Sequence, residues 1–323
     1  MASLAFQHNK YILFAVLVSI LCLVGYLTYK VSSTLHRAYN PVHTVYNQVE
    51  NEPFTDIVVN PDENNLFMYW VGPVPEFIMY LRKLIYLHSQ NQTKYKIHLI
   101  NRETVMNYID ELPECFDKLK PAHQADYVRV AAVCKYGGIW LDSDTIVMND
   151  LSSMFAKLKD HDGFFVTEDD GLFNGVFGSK ANTPLMQTWF SKIKDVLREK
   201  KENINWTDIG SGIINDYKNK PEYNELIKNY FIYDGPNSIY PVLWHNAADL
   251  FVTDPDKIKK YEKPDQPVIV LFWSTIIKIK PNIQSATGDI FSNKDTVIGH
   301  FINKSMNTLK INYNYLQNYK LNL

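Results

Sequence analysis

The sequence predicts an α/β domain built on a mostly parallel sheet. Three observations carry that expectation. Short apolar runs ended by glycine or proline alternate with amphipathic helical stretches over some 250 residues from Leu66 onward. The composition is that of a folded chain, 46% hydrophobic and 21% charged. A pair of aspartates, Asp142 and Asp144, follows one of the apolar runs at its carboxyl end, where open α/β sheets place their ligands.

Before the domain lies a different kind of segment. Tyr11 to Tyr29 is nineteen residues without a charge, bounded by Lys10 and Lys30. A helix of that length spans about 28 Å, the thickness of a bilayer core, and tyrosines at both ends suit the interfacial belt. The expected division is a short tail at 1–10, a transmembrane anchor at 11–29, a stem at 30–63 marked by Pro41, Pro53 and Pro61, and a catalytic domain at 64–323. A signal peptide cleaved after Val31-Ser32-Ser33 is the rival reading of the anchor, and a buried N-terminal helix a weaker one.

Along the domain, Leu66 to Val71 is a buried strand closed by Gly72-Pro73, and Glu76 to His88 shows helical spacing in Phe77, Tyr80, Leu81, Leu84, Ile85 and His88. Ile97 to Ile100 is a second strand, followed by a helix near Thr104–Glu111. Ala122 to Lys135 is a helix stopped by Gly137-Gly138, and Ile139-Trp140-Leu141 the next strand. Gly163 to Thr167 and Gly175 to Gly178 read as further strands, and Thr183 to Lys200 as a long amphipathic helix. The chain has 33 Lys+Arg against 35 Asp+Glu, so no broad field draws it to a polyanion and nucleic acid is excluded as the main partner. Of 3 cysteines, Cys22 lies in the anchor; Cys115 and Cys134 are either a pair in an oxidising lumen or two small buried hydrophobes. No Cys/His cluster suggests structural zinc.

The chemistry concentrates between His123 and Asp144. Asp126 and Arg129 are three apart on a helix and share a face; a carboxylate beside a guanidinium makes a fork for neighbouring hydroxyls. Asp142 and Asp144, two apart at a strand end, are expected on one side of the sheet. Two hard carboxylates suit Mn²⁺ or Mg²⁺, a metal commonly shared with phosphates. Together they point to a metal–diphosphate ligand beside a polyhydroxylated group. Glu168-Asp169-Asp170 is either a solvated loop or an acceptor contact, and Asp208-Ile-Gly210-Ser211-Gly212 a turn or a phosphate contact.

The block Asp126, Arg129, Gly137-Gly138, Trp140, Asp142, Asp144 resembles the sugar-binding, DXD-containing glycosyltransferases, a family-32-like group with the yeast-type mannosyltransferases and α1,4-galactosyltransferases and, more distantly, the large clostridial glucosylating toxins. Phe67-x-Tyr-Trp70-Val-Gly72-x2-Pro75, Asn174-Gly175 with Asn182-x-Pro184, Tyr240-Pro241-x2-Trp244 and His300-x2-Asn303-x-Ser305 extend the resemblance over residues 64 to 306. Many relatives carry Trp after the late serine, where this chain has Met306. The resemblance implies a GT-A fold and metal-dependent transfer of a hexose from a UDP- or GDP-linked sugar to a hydroxyl of a glycan, glycolipid or glycoprotein, with retention. It implies that Trp70 stacks on the base, that Asp126 and Arg129 hold sugar hydroxyls, that Asp142 takes the ribose or a metal-bound water and Asp144 the metal itself, and that His300 serves the diphosphate and its metal. Asn303 and Ser305 would approach the donor from the C-terminal side. With the anchor, it implies a type II membrane protein whose catalytic domain faces a secretory, ER- or Golgi-like lumen, where the sequons at Asn91 and Asn205 are open to glycosylation and Asn303 stays bare. Three rivals stand beside it: an inactive, membrane-anchored carbohydrate-binding relative, a haloacid-dehalogenase-type phosphatase, whose D-x-D-x-T opening Asp142 to Thr145 also fits, and a structural membrane protein with no ligand.

Overall fold

The computed structural model describes residues 59–90, 94–168, 171–285 and 287–321. The anchor, nearly all of the stem, Asn91 and the pair Asp169-Asp170 lie outside them. Among the described residues no helix is long and apolar enough to cross a membrane.

The chain opens with β1 (Asn65–Tyr69), α1 (Glu76–Ser89), β2 (Lys96–Ile100), α2 (Pro121–Tyr136) and β3 (Gly138–Leu141). A short strand, β4 (Thr145–Val147), and α3 (Ser152–Asp160) lead to a hairpin of β5 (Gly163–Glu168) and β6 (Gly171–Ser179). Then come α4 (Pro184–Lys200), α5 (Ser211–Asn219), α6 (Asn224–Ile227) and β7 (Tyr230–Tyr233). The C-terminal part holds α7 (Pro255–Tyr261), β8 (Val268–Val270), α8 (Trp273–Ile279), α9 (Thr287–Ser292), α10 (Val297–Thr308) and α11 (Tyr313–Asn318).

Six strands form one sheet in the order β2-β1-β3-β6-β5-β7. β1 runs parallel to β2 and β3, and β5 parallel to β7, while β6 is antiparallel to both of its neighbours. Five strands therefore point one way and β6 the other, which is the mostly parallel α/β sheet expected. β4 pairs antiparallel with β8 in a separate two-stranded ribbon.

Strand alternation sorts the core onto the two faces of the sheet. Phe67, Tyr69, Trp140, Phe165 and Phe177 pack with α2, α4 and α5. Leu66, Met68, Ile139, Leu141, Phe164, Val166 and Val176 pack with Ile85 of α1, Met154 and Phe155 of α3, and Val268 and Val270 of β8. A further cluster joins Phe77, Tyr80, Leu81 and Leu84 of α1 to the C-terminal helices, through Ile276, Phe291, Phe301 and Ile302.

α2 ends as the sequence implies. The Gly137 N–H donates to Val133 O at 2.9 Å, and both glycines have positive φ, +70° and +123°. A Cβ on Gly138 would sit 2.5 Å from Asn65 O, so the chain enters β3 against β1 only without one. Thr183 caps α4 by accepting from Met186 N. The helix expected near Thr104–Glu111 is one 3₁₀ turn, Val105–Asn107. Asn101 and Thr104 bond each other's backbone N–H groups just before it, and the few residues left before Pro113 are too short a helix to propagate. Cys115 and Cys134 are buried and unpaired, which removes the disulfide alternative.

Candidate active site

β1 and β3 are adjacent and parallel, with Phe67 level with Trp140, so Trp70 and Asp142 leave the sheet at the same edge. That edge, the carboxyl end of the parallel strands, is where the candidate residues gather. Asp142 follows Trp140 by two and takes the same face of the sheet, the face that α2 covers. The Trp140 indole Nε1 donates to Asp142 Oδ1 at 2.8 Å. Arg129 reaches the same oxygen from α2, with Nη2 at 3.3 Å, and its guanidinium lies 5.2 Å from the centre of the Trp140 ring.

Arg129 organises the whole group. Its Nη1 donates to Asn174 O at 2.7 Å, its Nε donates to Ala125 O at 3.3 Å, and Nε also stands 3.5 Å from Asp126 Oδ1. Asn174, on β6, returns its amide to Asp126 Oδ1 at 2.8 Å. Asp126 and Arg129 do share a helix face, as their spacing predicts, and both are buried. The fork is directed inward: it meets two carboxylates and two backbone carbonyls. Gly210, at the start of α5, closes the pocket wall, since a Cβ there would lie 2.8 Å from Asn174 Nδ2 and 3.0 Å from both Asp126 oxygens.

Asp144 differs from the expectation. β3 ends at Leu141, so Ser143 and Asp144 occupy a turn and the pair is not set on one side by strand alternation. Thr145 Oγ1 donates to Asp142 O at 2.7 Å and tightens that turn. The turn delivers Asp144 to the end of β8, where Leu271 N donates to its carbonyl at 3.1 Å and Trp273 N to its Oδ2 at 2.5 Å. Burial raises the Asp144 carboxyl first, and the neighbouring Asp142 charge raises it further, to about 7. Burial also raises Asp142 and Asp126, against the pull of Arg129. Two buried carboxylates, Asp126 and Asp144, and the half-buried Asp142 thus share one guanidinium, a group short of positive charge that a divalent cation at Asp142 and Asp144 would supply.

Trp70 is half-buried at the end of β1, with Nε1 donating to Pro73 O at 3.2 Å. Arg82 of α1 lies 5.8 Å over its ring and donates to Ser143 Oγ at 3.4 Å, between the two aspartates. Trp70 and the Asp142–Asp144 turn are therefore joined through Arg82.

The late motif is placed elsewhere. His300 Nε2 pairs with Glu262 Oε2 at 3.2 Å, and Lys304 with the other oxygen at 2.5 Å, so His300 is not brought to the aspartates. Among the described residues no three His, Cys, Asp or Glu gather as a metal cluster. Asn303 Nδ2 donates to Phe291 O at 3.2 Å and Gly299 O at 2.8 Å, tying α10 to α9. Ser305 is fully buried; its hydroxyl donates to Val147 O at 2.5 Å and meets His88 Nε2 at 3.1 Å. Its hydrogen-bonding groups are spent in the core, so it does not face a ligand. The sequence motifs include Trp140 and Asn174 without a role for either, and they do not include Arg82 or Trp273. Of these Trp140 was open to sequence reading, since its i, i+2 relation to Asp142 was visible.

The chain matches the family described as capsular polysaccharide synthesis protein over residues 26–236. It is 25% identical over 123 residues to the O-glycosyltransferase braB of Annulohypoxylon truncatum, covering 31% of this chain and 29% of that protein. It is 54% identical over 37 residues to an uncharacterized protein of Arabidopsis thaliana, 12% of this chain and 6% of that protein. The matched stretches span less than a third of these relatives. Among solved structures, the glycosyltransferase GlyE of Streptococcus pneumoniae TIGR4 aligns at 16% identity over 65% of this chain and 55% of that one, with a TM-score of 0.39. The galactosyltransferase LgtC, solved with donor and acceptor sugar analogs, aligns at 12% identity over 78% of this chain and 98% of that one, with a TM-score of 0.42.

Proposed function

The chain belongs to the capsular polysaccharide synthesis protein family, and from that premise we propose that it is a glycosyltransferase of GT-A type. In this reading it moves a hexose from a UDP- or GDP-linked sugar to a hydroxyl of a glycan, glycolipid or glycoprotein, with retention. The observation that carries it is the buried chain of contacts Asp142–Arg129–Asp126–Asn174 at the carboxyl edge of the parallel strands. The O-glycosyltransferase relative of Annulohypoxylon truncatum supports the same class.

Asp142 and Asp144 would hold Mn²⁺ or Mg²⁺, which when bound neutralises charge developing on a leaving diphosphate. Asp126 faces the sugar hydroxyls as an acceptor, fixed in place by Asn174 and Arg129. Arg129 is a positioning residue that orients both flanking carboxylates. Trp70 offers a stacking surface for the nucleobase, and Arg82 adds positive charge beside the turn. The phosphatase reading needs Asp142 as a free nucleophile, and its Oδ1 is already held by Trp140 and Arg129.

In the same reading Tyr11–Tyr29 is a membrane anchor and the enzyme a type II, single-pass protein with its domain in a secretory lumen; only the charge-free sequence of that segment supports this part. The test of function is a screen of UDP- and GDP-sugars with Mn²⁺, reading nucleotide release. Metal-dependent release from at least one sugar is expected, and release from none overturns the reading.

A further inference from the structure

The side chains that α2 sends toward the site continue one turn beyond Asp126. Arg129, Asp126 and His123 are spaced by three residues, about 4.5 Å of helix rise per step. Arg129 touches Asp142, and Asp126 touches Asn174. His123 meets Trp206, with ring centres 5.9 Å apart and planes at 55°.

Trp206 is 61% exposed, although tryptophan is a residue that folding normally hides. The loop that carries it is pinned. Asp208 Oδ2 accepts from Asn205 N at 3.0 Å and from Lys200 Nζ at 2.9 Å, and Gly212 N donates to Thr207 O at 3.1 Å. Four residues on, Gly210 forms the wall against Asp126 and Asn174. The indole is thus held in the open by the same loop that closes the pocket.

Beneath it, His123 is buried to 2% exposure, and its Nε2 has no hydrogen-bond partner among the described residues. No other exposed large hydrophobic residue lies on α2, α4, α5 or this loop, among those described. A lone indole amid Glu202, Asn203, Asn205 and Thr207 is too small an apolar area for a protein interface. It matches the C–H face of one pyranose ring, whose hydroxyls need polar neighbours.

We propose that Trp206, backed by His123, is the stacking platform for a sugar ring of the acceptor, on the loop that borders the donor sugar at Asp126. The acceptor is then a saccharide or glycoconjugate rather than a bare protein or lipid hydroxyl. This rests on the glycosyltransferase reading of the Asp126–Asp144 site.

The test uses the full chain labelled with 5-fluorotryptophan, with the Trp206 resonance assigned from Trp206→Phe. Methyl glycosides and disaccharides of glucose, galactose and mannose are titrated in. At least one should move the Trp206 line saturably and leave the Trp244 line in place. Trp206→Ala should raise the Kd of that saccharide at least tenfold by calorimetry, with the thermal midpoint unchanged. If no saccharide moves the line, or the alanine variant binds as tightly, the proposal is overturned. The thermal shift given by UDP or GDP with Mn²⁺ in the same preparations reads the donor site separately. A nucleotide shift beside a silent Trp206 defeats this proposal alone. Saccharide binding at Trp206 with no nucleotide shift defeats the donor reading and with it the acceptor role.

Discussion

The backbone N–H of Trp273 donates to Oδ2 of Asp144 across 129 positions of sequence, at 2.5 Å. That bond aims a carboxylate from the β3–β4 turn using the first residue of α8. The turn and the end of β8 are brought together because Thr145 pairs with Val270 in the two-stranded ribbon. The position of the Asp144 carboxylate is therefore built from two distant parts of the chain.

Asp144→Asn keeps the shape and the bond from Trp273 while removing the charge. Transfer should fall by two or more orders of magnitude, about 3 kcal/mol of transition-state stabilisation. Without metal the folded domain should be no less stable, since a crowded buried charge is gone. The thermal shift from Mn²⁺ with UDP or GDP should disappear. Near-normal kcat/KM in this variant would remove Asp144 from the mechanism.

The raised carboxyl of Asp144 gives a pH signature. In the unfolded chain it titrates near the ordinary value of about 4, and in the folded chain near 7. Between those limits the folded state holds the proton that the unfolded state has released. Its contribution is therefore fully present below pH 4 and is lost as pH rises through 7. Buried His88 and His98, both lowered to about 4, act in the opposite sense, their contribution lost as pH falls from 6.5. Denaturant titrations of wild type and Asp144→Asn, subtracted at each pH, isolate the carboxylate. The wild type should lose ground to the variant from pH 4 to 7, and Mn²⁺ should flatten that difference. A difference that grows in the other direction contradicts the burial of this charge.

Arg129→Lys retains the charge but cannot make the planar set of contacts to Asn174 O, Asp126 and Asp142. Because the guanidinium is buried, both stability and donor use should suffer. We expect a loss of about 1–3 kcal/mol in unfolding free energy and a kcat/KM fall of at least tenfold. Full activity in an equally stable protein would show that the fork orients nothing.

The joining of Asp126 and Arg129 was legible because a spacing of three on a helix fixes a shared face whatever surrounds it. The same holds for the strands, whose alternation sorted Trp140 and Asp142 onto the face of α2. Asp144 was less legible, because alternation stops where β3 ends and a turn takes over. Trp273 and Asn174 were invisible as partners, since local periodicity carries no information on contacts 129 and 48 positions away. The late motif was less legible for another reason. Val297, Ile298, Phe301, Ile302, Ser305 and Met306 make a buried helical stripe, and Ser305 belongs to it. The pattern of neighbours outranked the resemblance of a single serine.

Gly210→Ala tests how closely the loop before α5 must approach the sugar side. The added methyl would meet Asn174 Nδ2 at 2.8 Å and both Asp126 oxygens at 3.0 Å. Either the loop retreats or the Asn174–Asp126 bond opens. Overpacking of this kind costs about 1–3 kcal/mol, and the unfolding midpoint should drop accordingly. KM for the donor should rise at least tenfold. A variant with native KM would place the donor sugar away from this wall.

Ser305→Ala separates a core role from a donor role. The hydroxyl bridges Val147 O on β4 and His88 Nε2 on α1, linking α10 to both. Removing it leaves a buried carbonyl and a buried imidazole nitrogen unpaired, and the His88 Nδ1 already has no partner among the described residues. The expected cost is about 1–3 kcal/mol of unfolding free energy. The donor KM of the folded fraction should stay within twofold of wild type, since no part of this side chain reaches the surface. Ser305→Cys, which keeps a weak donor in nearly the same volume, should recover part of the stability. A tenfold rise in donor KM with unchanged stability would return Ser305 to the site that the sequence motif assigned it.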